Sequence, residues 1–164
     1  MEDIFISPTF GKLTLTNVVD QIVAYLHEEP QRRYRLVIGT DSQDRRFNGR
    51  KSTSVVTAVV VHRIGKGGRY FWKNGTVRHI RSLRQKIYTE TFRSLEVAQD
   101  VVPRLRTKLN GNKNWELEIH IDIGQTGETR DMIKEVVGIV MGNGYTAKTK
   151  PDSFGASSVA DKHT

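Results

Sequence analysis

The chain has 164 residues, enough for one domain with a substantial core, and its 26 Lys and Arg against 18 Asp and Glu give a net charge of +8. That surplus fits a polyanionic partner, nucleic acid first, while the absence of cysteine excludes disulfides and thiolate metal sites. The opening MEDIFISPTF lacks a signal peptide's positive start and long apolar run, and no stretch is long enough to span a bilayer, so a cytoplasmic protein is expected.

Residues 1–12 read as an irregular lead-in broken by Pro8 and Gly11, and residues 1–33 as a helical lead-in to the domain. Thr14 or Thr16 caps a helix over 15–28, with Val18, Val19, Ile22, Val23 and Leu26 as one apolar stripe. Tyr34 to Gln43, YRLVIGTDSQ, reads as a central strand apolar on both faces, with Asp41 at or just past its carboxyl end. Residues 44–51 follow as a polar turn dense in arginine. A long β-branched strand, 52–64, and a return strand, 69–78, complete a meander, with Asn74-Gly75 predicting a bulge or bend.

The longest helical pattern runs from Ser82 to about Val102, with Ile87, Thr91, Ser94, Ala98, Val101 and Leu105 on one arc and Glu90 at its edge. Pro103 is expected to kink or restart it. Residues 115–123 alternate strictly as a fourth strand, carrying Asp122. A helix over 128–141 follows, burying Ile133, Val136, Val137, Val140 and Met141, then a short strand over 145–150 and a last helix opened by Pro151-Asp152-Ser153. Right-handed crossovers then predict a single α/β domain, 1–164. Its five-stranded mixed sheet has order 3-2-1-4-5, strand 2 antiparallel and helices on both faces.

That topology brings Asp41 and Asp122 to one end of adjacent parallel strands, swings Glu90 over the same edge, and lets the last helix bring Asp152 or Asp161. Clustered carboxylates repel unless a cation neutralises them, and oxygen-only donors select Mg²⁺ or Mn²⁺. Two such ions, roughly 4 Å apart, activate water and stabilise the leaving oxygen of a phosphodiester. Each residue has a plainer role as well. Asp41 can bond its own turn, Glu90 can be a solvated helix edge, Asp152 a helix cap and Asp161 a surface residue near a frayed end. Arg45, Arg46, Arg50 and Lys51 after Asp41, with Arg81 and Arg84 before Glu90, form a basic rim for a phosphate backbone, or a solvated charged surface.

The strand order and the Asp, Glu, Asp, Asp series resemble the ribonuclease H-like superfamily. IGTDSQ, HIDIG and KPDSFGASSVADKHT together more closely resemble the YkuK family, described as predicted ribonuclease H-like nucleases. By this resemblance Asp41 matches the first-strand aspartate, Glu90 the helix glutamate and Asp122 the fourth-strand aspartate. SSVADKHT resembles the superfamily's final helix and favours Asp161 over its competitor Asp152, although that helix is short here. The resemblance implies a two-metal, Mg²⁺- or Mn²⁺-dependent nuclease acting on RNA or DNA. The alternatives are a non-catalytic nucleic-acid-binding module of the same fold and a phosphohydrolase of small substrates.

Overall fold

The computed structural model describes residues 3–124, 127–150 and 163. The chain opens not with an irregular lead-in but with a hairpin, β1 (Ile4–Ser7) and β2 (Gly11–Thr14). Pro8 and Gly11 are its turn: Ser7 Oγ accepts from the backbone N–H of Thr9 and Phe10, and Gly11 takes a positive φ of 71°. Helix α1 (Leu15–Glu28) follows directly, with Thr14 as its cap accepting from Asn17 N at 3.2 Å.

Strand β3 (Tyr34–Phe47) is longer than its apolar part, and Asp44 to Phe47 continue the strand rather than form a turn. It turns through Asn48 and Gly49, at φ 52° and 75°, into β4 (Arg50–Arg63). Strand β5 (Gly68–Arg78) pairs with β4 in unbroken register through Asn74 and Gly75, so the expected bulge is absent. Helix α2 (Leu83–Lys108) is capped by Ser82 and runs through Pro103 without restarting. Next come β6 (Trp115–His120), α3 (Arg130–Gly142) and β7 (Thr146–Lys148). In α3, Met132, Val136 and Val140 are buried, whereas Met141, expected inside, is 63% exposed.

These strands make a seven-stranded sheet, order β2-β1-β5-β4-β3-β6-β7, not the five-stranded one expected from sequence. The two unforeseen strands extend it beyond β5, so the order differs by that added edge. β4 is antiparallel to β3, and β6 is parallel to it.

Strand alternation gives the sheet two unlike faces. Leu36, Ile38, Val59, Val61, Phe71 and Ile119 point to one, and there they form a single core with the apolar stripes of α1, α2 and α3. All three described helices therefore lie on one face. The predicted last helix, with Asp152 and Asp161, lies outside the described residues. The second face carries a smaller cluster of Val56 and Ala58 packed by Trp72, and the His163 ring stacks on Trp72 at 3.7 Å.

A buried arginine fastens α1 to the sheet. Arg63 donates to Tyr34 Oη and the Tyr25 carbonyl, pairs with Glu28 and Glu29, and lies 4.0 Å over the Tyr25 ring. Its burial opposes the charge, but hydrogen bonds to Glu28 and Tyr34 more than compensate and raise its pKa. No described helix is long and apolar enough to cross a membrane.

Candidate active site

Asp41 is the eighth residue of the fourteen in β3, so it is not at the strand's end. It is nonetheless past the end of the parallel half of the sheet, because the β3–β6 ladder stops at Gly39 opposite His120. Asp41 stands two residues further along β3, and Asp122 stands two residues past the end of β6, between Ile121 and Ile123, which enter the core. The antiparallel partner of Asp41 is Val56, fully buried, so Asp41 itself is only 8% exposed.

Glu90 approaches from the opposite face. Its helix packs on Thr40 and Ser42, with the Thr40 hydroxyl 2.8 Å from Ser94 Oγ and 3.0 Å from Thr57 Oγ1. Ser42 Oγ donates to Glu90 Oε2 at 2.6 Å, and Lys86, one turn earlier on α2, pairs with the same oxygen at 3.2 Å. Lys86 Nζ also donates to the Ser42 carbonyl at 2.6 Å. Burial raises the Glu90 pKa to about 7; Ser42 and Lys86 work against that rise, and the nearby charge of Asp41 adds to it. A carboxyl group half-protonated near neutrality beside a second buried carboxylate is the electrostatic pattern of a functional site.

Asp122 is engaged differently. Lys150 Nζ lies 2.6 Å from Asp122 Oδ1, and this contact raises the lysine's pKa. The chain after β6 stays close to β7, with Ile121 N donating to the Lys148 carbonyl and Lys150 N to that of Ile123. Asp41 and Glu90 thus sit within electrostatic reach of each other, and Asp122, past the end of the adjacent strand, is paired to a lysine. Among the described residues no three Asp, Glu or His side chains close into a metal-binding group. Two ammonium groups, Lys86 and Lys150, lie against these carboxylates.

Ser42, Lys86 and Lys150 were not singled out from sequence as partners of the carboxylates. A lysine four residues before Glu90 was a readable signal for one of them. His120 is buried and bonds Glu118 Oε2 through Nε2 at 2.9 Å. Of the basic residues, Arg45, Arg46, Arg50 and Lys51 are exposed on the paired ends of β3 and β4. Arg84 is engaged with Glu135 at 3.3 Å. Arg81 lines an open cleft of about 390 Å³ with Ser42, Asp44, Thr53 and Lys86, beside the Glu90 cluster.

A family profile described as Ribonuclease H-like matches residues 17–164. The uncharacterized protein YkuK of Bacillus subtilis (strain 168) is 36% identical over 170 residues, covering 98% of this chain and 96% of YkuK. No solved structure matches the chain. A mixed sheet with helices packed against it accords with that match. The chain belongs to the ribonuclease H-like family.

Proposed function

We propose that this protein is a metal-dependent nuclease whose carboxylates Asp41, Glu90 and Asp122 serve phosphodiester hydrolysis. The observation that carries the reading is the register. Asp41 and Asp122 each stand two residues past the last pair of the β3–β6 ladder, with a buried Glu90 whose pKa the Asp41 charge helps to raise. The donors are all oxygen, which fits Mg²⁺ or Mn²⁺ in kind. Asp41, Glu90 and Asp122 would hold the ion, with Asp161 or Asp152 as the fourth carboxylate expected from the sequence. When bound, the cation would supply the charge that lets these groups ionise together and the Lewis acidity for hydrolysis.

The chain's own residues have separable tasks. Ser42 orients Glu90 through its hydroxyl, and Lys86 lies against the same oxygen and favours its ionised form. Arg81 and Lys86 line the cleft beside the cluster and offer cationic contacts to a phosphate.

The lysines also favour a second reading, a nucleic-acid-binding module without catalysis, because Lys86 and Lys150 already compensate Glu90 and Asp122. Mn²⁺ calorimetry on wild type and on the Asp41→Asn, Asp122→Asn double variant separates the two, alongside cleavage of labelled RNA, DNA and hybrid. The nuclease reading expects Mn²⁺ binding and cleavage in wild type and loss of both in the variant, with the circular dichroism spectrum unchanged. Nucleic-acid binding that ignores Mn²⁺ and survives in the double variant, with no cleavage, would overturn it for the binding module.

A further inference from the structure

The paired ends of β3 and β4 project past the rest of the sheet. Residues 43–51 are all exposed. They carry Arg45, Arg46, Arg50 and Lys51 against a single acid, Asp44. At the tip stands Phe47, 76% exposed, more than any other large hydrophobic among the described residues.

A single exposed apolar side chain is ordinary on a protein surface. Phe47 differs in how it is presented. It pairs across the ribbon with Arg50 and is followed by the Asn48-Gly49 turn, whose two positive φ angles suit the twist of a hairpin. The ribbon is also fastened at its base. Thr53 Oγ1 accepts from Ile80 N at 3.0 Å and donates to Asp44 Oδ1 at 3.3 Å, while Ser52 pairs with Arg78 of β5. An aromatic ring between guanidinium groups on a braced arm is what a nucleobase flanked by phosphates requires.

Alternation puts Arg45 and Phe47 on the sheet face of Asp41. Phe47 is six residues beyond Asp41, and at a strand rise of about 3.3 Å that is ~20 Å. In a duplex the bases are already stacked on one another, and a ring at this tip finds a free π-face only on an unpaired base.

We propose that the β3–β4 ribbon is a nucleic-acid arm that stacks Phe47 on an unpaired base, making single-stranded nucleic acid the preferred ligand. The inference rests on the nucleic-acid part of the reading above and is independent of the metal. The test is fluorescence anisotropy in EDTA with labelled single-stranded RNA and DNA, about twelve nucleotides long, and the matching duplexes.

Wild type is expected to bind single strands more tightly than duplex. Phe47→Ala should lose about 5- to 150-fold on single strands with little change on duplex. Phe47→Trp should retain binding, with its added indole emission quenched by single strands. A preference for duplex, or a Phe47→Ala loss that is nil or equal on both ligands, overturns the proposal. Cleavage that persists without any Phe47 effect sinks the arm alone, whereas Phe47-dependent binding without metal-dependent cleavage sinks the nuclease alone.

Discussion

Glu90 is a carboxyl group kept where ionisation is costly. It is 6% exposed, and its folded pKa of about 7 stands above its ordinary 4.5 mainly because of burial. Between those values the folded state keeps a proton that the unfolded chain has released. Its contribution to stability is therefore largest at low pH and declines as pH rises through the window, by roughly 3 kcal/mol in all. Glu90→Gln cannot ionise and removes that decline. Urea melts in metal-free buffer should show the variant gaining on wild type from about pH 5 to about pH 8. A difference that stays constant with pH would place Glu90 in a more solvated setting than its burial indicates. The position of Glu90 on the edge of the helical arc was legible from spacing alone. Its burial was not, because the hydroxyl that bonds it, Ser42, comes from a strand some fifty residues earlier, brought near only by the folded sheet.

At the scale of elements, the sequence signals were clearest where burial and backbone pattern agreed. The stripe of α1 and its Thr14 cap are local properties, and each is realised; the alternation expected over 115–123 is not, because β6 ends at His120 and buries Ile119 and His120 together. The signals misled where the chain is paired but solvated. Residues 44–51 have the composition of a loop because both faces of the ribbon meet water, yet their backbone groups are paired strand to strand as far as Phe47 and Arg50. The Asn-Gly pair that turns the chain is 48–49. The one at 74–75 lies within an unbroken ladder against Val55 and Val56. The turn at Gly49 is testable. Its φ of 75° suits glycine, and alanine there should cost about 1 kcal/mol or more, confined to the ribbon. Hydrogen exchange of Gly49→Ala is expected to quicken at residues 44–47 and 50–53 while α2 and β6 stay protected. Equal protection in variant and wild type would mean that the turn does not brace the arm.

Taken as a whole, the described molecule is lopsided: three helices shield one sheet face, and Asp41, Trp72 and the arm lie toward the other. Its net charge of +8 could act diffusely, or the arm could concentrate the part that matters. Two triple variants of equal charge separate these cases. Arg46→Gln, Arg50→Gln, Lys51→Gln strips the arm, and Lys12→Gln, Lys113→Gln, Lys134→Gln strips exposed sites elsewhere. Counterion release ties the salt dependence of binding to the number of phosphates neutralised, at a slope of about 0.7 per contact for single strands. If the three arm cations each meet a phosphate, their loss lowers the slope of log K against log salt by about 2, while the distal variant keeps the wild-type slope. A purely diffuse field would weaken both variants alike and leave their slopes equal. That outcome would remove the arm from the binding surface without touching the carboxylate site, since none of the six substituted residues lies in the Asp41, Glu90 and Asp122 cluster.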